Sequence, residues 1–248
     1  TDGGTTWRAR TDSGGTSTSL VITKFSSDGT TLLTNGLSYA VSIRAVTAST
    51  VGLSSSNVFA TPSTTPSAPT NATFSVLNAR IDVDFTAGSD GGSPITNYEY
   101  ALSTNDGTSW GNFTPANVLT PNFTITNLVN GTSYTIKIRA TNSRGSGAEL
   151  TSSSSYTPTG VPDSPIISAT SNSRLNSSLT DTQIQVTFSE PANNGSQITN
   201  YQYSTDNGVS WRARTDTTGR FSPLIISKLS SDGKINLQNS GKPNLGLA

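Results

Sequence analysis

The residues best equipped to bind or react are two copies of one run, Trp7-Arg8-Ala9-Arg10 and Trp211-Arg212-Ala213-Arg214. Side chains of an extended strand alternate between its faces. Each run therefore predicts two guanidinium groups on one side, with Trp and Ala on the other. A paired-Arg face can hold a carboxylate or an acidic sugar through forked hydrogen bonds. Trp7, Trp110 and Trp211 are the three indoles of the chain, and a glycan-binding surface would need them as an exposed platform. The plainer expectation is that Arg8, Arg10, Arg212 and Arg214 are solvated opposite acids such as Asp12 and Asp216. The middle copy of the run reads Trp110-Gly111-Asn112-Phe113, so a two-Arg site would recur only on alternate units.

Other chemistry is narrowed by what the chain lacks. It has no His, Cys or Met, which removes thiol nucleophiles, disulfides, Cys/His zinc sites and any triad built on an imidazole base. Glu occurs only at 99, 149 and 190, and no paired-carboxylate geometry follows from the spacing. The expectation is a protein that is not an enzyme and uses no cofactor or metal. Asp90-Gly91-Gly92, Asp82 and Asp84 would suit Ca²⁺ only if they converged; alternation puts Asp82 and Asp84 on the wet face of a strand, and no EF-hand loop is present. Arg144-Gly145-Ser146 reads as a turn. Fifteen basic and fifteen acidic residues cancel, so nucleic acid is not an expected partner. No apolar run approaches the roughly 18 residues of a membrane span. Thr1-Asp2-Gly3-Gly4 lacks signal-peptide features, so the chain is expected to be a processed product or a slice of something longer.

The elements that would carry these residues announce themselves by repetition. Residues 1–29 align without a gap onto 205–233, with 17 identities. A third copy lies between them: Ser103-Thr104-Asn105-Asp106-Gly107-Thr108-Ser109-Trp110 matches Ser204-Thr205-Asp206-Asn207-Gly208-Val209-Ser210-Trp211. Upstream, Ile95-Thr96-Asn97-Tyr98-Glu99-Tyr100 recurs as Ile198-Thr199-Asn200-Tyr201-Gln202-Tyr203. Pro/Thr/Ser stretches at 61–69 and 157–162 read as short semi-rigid linkers. Ser, Thr and Asn number 101 of 248 residues, so the apolar residues must be spaced sparingly. Period-two runs do this: Arg80-Ile81-Asp82-Val83-Asp84-Phe85, Phe123-Thr124-Ile125, and Tyr134-Thr135-Ile136-Lys137-Ile138-Arg139-Ala140. No stretch holds a helical period. Six or seven short strands in the middle unit predict an all-β sandwich.

Leu128-x-Asn130-Gly131-Thr132-x-Tyr134-x-Ile136-x-Ile138-Arg139-Ala140-x-Asn142 resembles the E–F corner and strand F of a fibronectin type III domain of the bacterial tandem kind. Leu33-x-Asn35-Gly36-x-Ser38-Tyr39-x-Val41-x-Ile43-Arg44-Ala45 repeats it. The resemblance implies that Tyr134 and Tyr39 are corner tyrosines and that the alternating apolar residues face a core. Val83/Phe85 and Val186/Phe188 stand in the second strand, where the family often has Trp. Ser204-x-Asp206-x-Gly208-x-Ser210-Trp211 also resembles the Asp-box of sialidase-like proteins, where it is a structural hairpin.

The expected fold is thus all-β: tandem seven-stranded Ig-like, fibronectin type III sandwiches with incomplete terminal units. The units are 1–63 (late strands only), 64–160 (complete) and 161–248 (early strands only). The expected function is a structural or adhesive extracellular repeat protein, secreted or on the cell surface, forming a stalk, fibre or filament. Its partners would be further repeat domains or copies of itself, supplying missing strands to each other. The alternative is a glycan-binding or spacer module of a secreted carbohydrate-active enzyme, with cell-surface glycans as ligands. Six Asn-x-Ser/Thr sequons, at Asn71, Asn112, Asn122, Asn130, Asn176 and Asn194, are weak evidence for glycosylation in so Asn-rich a chain.

Overall fold

The computed structural model describes residues 2–9, 19–172, 183–215, 221–229 and 231. Arg10, Asp12, Asn176 and Asp216 lie outside them, and so does most of the stretch after 229. Among the described residues there are sixteen strands and no helix, as the missing helical period predicts. No helix among the described residues is therefore long and apolar enough to cross a membrane. The chain forms two compact units, one of residues 1–75, 81–126 and 133–156, the other of 76–80, 127–132 and 157–248.

The centre of the first unit is a two-layer sandwich. One sheet joins β5 (Thr70–Leu77), β6 (Arg80–Thr86) and β9 (Asn122–Ile125) in that order; the other joins β11 (Gly145–Thr151), β10 (Thr135–Asn142), β7 (Ile95–Ser103) and β8 (Thr114–Pro115). Alternation decides what goes inside. Ile81, Val83 and Phe85 of β6 are buried, as are Ile136, Ile138 and Ala140 of β10, all three fully. Register carries the pattern across: Ile81 pairs with Ile125 and Val83 with Phe123. Edge-on ring contacts close the core, Phe85 meeting Tyr98 at 4.8 Å and Phe123 at 6.0 Å between centroids. Truncating a fully buried Ile such as Ile136 to Ala costs about 2–5 kcal/mol.

Ahead of this sandwich, β1 (Tyr39–Val41) pairs with β4 (Val58–Ala60), and β2 (Arg44–Val46) with β3 (Val51–Ser54). Tyr39 is buried, and its hydroxyl accepts a hydrogen bond from the Thr34 amide at 2.8 Å. That is the corner expected from the Leu33-to-Ala45 pattern. Ile43 and Ala45, equivalent to the buried Ile138 and Ala140 of β10, are exposed here.

In the second unit, β12 (Ile166–Asn172), β13 (Ile184–Ser189) and β16 (Leu224–Ile226) form one antiparallel sheet. β14 (Gln202–Tyr203) and β15 (Arg212–Ala213) form a second. Phe188, Leu224 and Ile226 make its core, with Val186, Tyr201 and Tyr203 packed against them. Phe188 meets Tyr201 edge-on at 4.6 Å, repeating the Phe85–Tyr98 contact of the middle sandwich.

Candidate functional site

Three tight turns present the indoles, and each is held by an Asp or Asn side chain that accepts from the amide of the residue before its Trp. In the middle copy, Ser103 Oγ donates to Asn105 Oδ1 at 2.8 Å and accepts from the Gly107 amide at 2.9 Å; the Ser109 amide donates to Asn105 Oδ1 at 2.9 Å. In the last copy, Ser204 Oγ donates to Asp206 Oδ1 at 2.7 Å and accepts from the Gly208 amide at 2.8 Å, and the Ser210 amide donates to Asp206 at 2.9 Å. In the first, the Thr6 amide donates to the Asp2 carboxylate. Short Asx and Ser side chains bond local amides and so hold the chain in a tight turn. Gly107 and Gly208 supply the positive φ that the turn demands, 82° and 83°.

Each Trp lies over the glycine of its own turn. A Cβ added to Gly4, Gly107 or Gly208 would stand 3.4, 3.3 or 3.9 Å from Cζ2 of Trp7, Trp110 or Trp211. The indoles of the first two copies are half-buried and carry a cation: Arg44 lies 4.1 Å above Trp7 and Lys137 lies 4.6 Å above Trp110. Trp211 is 61% exposed.

Around Trp110 the outward side chains of β10 continue into a closed network. Lys137 Nζ lies 2.8 Å from Glu149, and Arg139 Nε donates to Glu99 at 2.7 Å while stacking over Phe113 at 3.6 Å. Arg139 Nη1 also lies 3.9 Å from Glu149. Two of the three glutamates in the chain are thus neutralised on this face. Beside it is an open depression of about 500 Å³ lined by Asp106, Trp110, Thr135, Lys137 and the serines at 152 to 155. Hydroxyls outnumber its other groups, one carboxylate, one ammonium and one indole, so it suits weak polar contact.

The structure places the two arginine runs differently from one another. Trp7, Arg8 and Ala9 are not in a strand. Residues 212 and 213 are, because β14 supplies them with a partner; none of the described residues pairs with 7–9. Arg8 packs against Gly29, whose added Cβ would overlap its guanidinium. Arg212 is half-buried. Arg214 is 5% exposed, and its guanidinium donates to the carbonyl oxygens of Phe221 and Pro223, both at 2.5 Å. A buried guanidinium needs such acceptors, so Arg214 braces the loop before β16 instead of facing solvent. Arg10 lies outside the described residues.

The remaining motifs are structural. Asp82 accepts from Thr124 Oγ1 at 2.8 Å, and Asp90 Oδ1 accepts from the Gly92 amide at 2.8 Å, closing its own turn. Arg144 Nε donates to Ser63 Oγ at 2.9 Å. Asn130 uses both ends of its amide, accepting from the Ala79 amide at 2.8 Å and donating to Asn78 at 2.7 Å. Asn194 donates to the Val161 carbonyl and to Asp163. These two sequon asparagines are internal struts, whereas Asn71, Asn112 and Asn122 are exposed. Sequence reasoning missed the Lys137–Glu149–Arg139–Glu99 network. Its charges are visible in the alternation of β10, but pairing them requires the register between β10, β7 and β11.

Strand order and corner geometry point to one family, and its profile matches here. Residues 67–157 are a fibronectin type III domain. Among solved structures, the chain is similar to domains from titin (24% identity, 40% of this chain and 35% of that one, TM-score 0.33). It is also similar to the chicken CNTN1 FN1-FN3 domains (16% identity, 64% and 55%, TM-score 0.36). A third similarity is to the twitchin kinase region from C. elegans (23% identity, 38% and 17%, TM-score 0.33). The chain spans 55% or less of the length of each. No curated protein matches it in sequence. Within the fibronectin type III domain, β5, β6 and β9 form the three-stranded sheet, and the network just described covers the outer face of the four-stranded one.

Proposed function

We propose that the chain is a structural segment of an extracellular, bacterial-type tandem array, serving as a stalk or spacer on a secreted or surface protein rather than as an enzyme. The observation that carries this reading is the outer face of the middle domain. Lys137, Arg139, Glu99 and Glu149 neutralise one another there, and the adjacent depression is open and hydroxyl-lined. A surface of this kind is hydrated and neutral, suited to spacing rather than to gripping a charged ligand. The three Asx-held turns, read as Asp-box turns, add rigidity at fixed positions in each repeat.

Two finer readings have their own support. Val51, Leu53, Val58 and Phe59 expose their side chains in the first unit, and Ile166 and Ile167 do so in the second. Strand addition between copies would cover them and make a fibre; a concentration series by light scattering tests it, and a monomer throughout ends it. The exposed Trp211 supports the other reading, a glycan-binding accessory module. A glycan array probed with the intact chain and with Trp211→Ala decides between that module and the spacer. The spacer reading expects no glycan signal from either protein. Binding that Trp211→Ala abolishes would replace it with the glycan module.

A further inference from the structure

One backbone arrangement occurs twice, once inside each compact unit, and neither the family match nor the proposed function accounts for it. In the first unit, the Asn35-Gly36 corner meets the loop at 89–92. The Gly36 amide donates to the Pro62 carbonyl at 2.9 Å, the Thr64 amide to Gly91 at 2.9 Å, and the Ser67 amide to Ser89 at 2.9 Å. Gly92 closes the loop by donating to Asp90 Oδ1 at 2.8 Å. In the second unit, the Asn130-Gly131 corner meets the loop at 192–195. The Gly131 amide donates to Pro158 at 2.9 Å, the Gly160 amide to Asn194 at 2.8 Å, and the Asp163 amide to Ala192 at 3.0 Å. Gly195 closes that loop by donating to Asn193 Oδ1 at 3.0 Å. Every bond of one set has its counterpart in the other, although Thr64 and Gly160, Ser67 and Asp163, and Gly91 and Asn194 share no side-chain chemistry.

At the centre of both sets two glycine backbones touch. A Cβ on Gly92 would lie 2.2 Å from the Gly36 nitrogen and 2.7 Å from the Asn35 carbonyl carbon; one on Gly195 would lie 2.5 Å from the Gly131 nitrogen and 2.9 Å from its Cα. These obstacles are backbone atoms, which cannot swing aside as a side chain does. From the opposite side, a Cβ on Gly36 or Gly131 would stand 3.2 Å from the Cα of Gly92 or Gly195. All four glycines have φ between 81° and 85°, a region that only glycine enters freely.

We infer that this paired-glycine contact is a module-docking joint. The Asn-Gly corner of one repeat seats on the last glycine of the next repeat's loop, Gly92 or Gly195, and the proline linker is clamped between them by three backbone hydrogen bonds. A Pro/Thr/Ser linker alone is a semi-rigid spacer; the joint gives each step a single geometry without a metal ion or a disulfide. The inference concerns the junction itself and holds whether the array spaces, adheres or binds.

The test is pulsed electron–electron distance measurement on the full chain. Because Cys is absent, two introduced thiols label unambiguously. The pair Ser54→Cys and Ser75→Cys reads the first joint, and Leu77→Cys with Ser189→Cys, both inside the second unit, reads the second. Both native pairs are expected to give one narrow distance distribution. Gly92→Ala is expected to abolish the narrow peak of the first pair only, and Gly195→Ala that of the second only. Gly208→Ala carries the same positive-φ strain, but its Cβ meets nothing nearer than 3.9 Å; it is expected to change neither pair. Circular dichroism of each variant confirms that the strands persist, and Gly36→Ala, whose Cβ would stand 3.2 Å from the Gly92 Cα, provides a milder second reading if Gly92→Ala loses them. Broad native distributions, or narrow ones that survive Gly92→Ala and Gly195→Ala, would overturn the joint.

Discussion

Replacing Asn142 should unfasten three segments of the middle domain at once. Its side chain is buried at the end of β10, and Nδ2 donates to the carbonyls of Thr64 and Asp90 at 2.8 Å and of Ser93 at 3.3 Å. Oδ1 accepts from the Arg144 amide at 2.8 Å. The one amide thus ties the incoming linker, the 90–93 loop and the 142–145 turn to a core strand. Each good bond contributes about 1 kcal/mol net, so Asn142→Ala loses about 3 kcal/mol from the two short donated bonds and the accepted one. Asn142→Asp should cost more, because it turns a carboxylate oxygen toward three carbonyl oxygens. For a domain of this size 1 kcal/mol moves Tm by about 4–8 °C, so Asn142→Ala should lower the transition of the middle domain by about 12–24 °C. Calorimetry of the full chain, with hydrogen exchange across β6, β7 and β10 to assign the transition, reads the shift. Asn97→Ala is the control: Asn97 Oδ1 accepts one amide, that of Val118, at 3.3 Å, and its loss should cost below about 1 kcal/mol. A drop under about 4 °C for Asn142→Ala would refute the view that these bonds hold the domain's end together.

Two further outcomes follow from single groups. Tyr39→Phe removes the hydroxyl that accepts from the Thr34 amide; it should cost about 1 kcal/mol and speed hydrogen exchange at Thr34, while leaving Tyr134 and its strand unaffected. Thr31 Oγ1, followed by the amides of Thr30 and Thr31, holds the Asp28 carboxyl at about 2, below its ordinary 3.8, and the Thr6 hydroxyl does the same for Asp2. Lowered folded values stabilise above the ordinary value and lose that effect as pH falls through about 2. Carboxyl NMR should show both groups titrating near there, with Thr31→Val returning Asp28 toward 3.8. Burial raises the Tyr98 hydroxyl above its ordinary 10.0, so stability should instead fall as pH climbs past 10.

The alternation of Ile81, Val83 and Phe85, and of Ile136, Ile138 and Ala140, is readable because an inner-face strand must bury every second residue. The Asn-Gly-x-x-Tyr corner is readable because it is local. Edge strands are not. β11 starts at Gly145, inside a run that reads as a breaker, since its strand character comes from pairing with β10 rather than from its own residues. β5, by contrast, does alternate, with Ala72, Phe74 and Val76 between polar residues, but Asn71 at φ 52° interrupts its start. In the last arginine run the alternation holds, with Trp211 and Ala213 exposed and Arg212 and Arg214 on the other face, but that face points inward, and Arg214 turns its guanidinium onto carbonyls seven and nine residues downstream. The outer charge network and the glycine joint both depend on register across long stretches of chain, which no local pattern encodes.

The proposed spacer rests on folded modules, the fibronectin type III domain of residues 67–157 among them. Single-molecule pulling from the two ends tests this most directly. Unfolding of residues 67–157 should appear as an abrupt event that lengthens the chain by about 300 Å, given an extended span of about 3.3–3.6 Å per residue. A smooth extension with no such event would contradict the account.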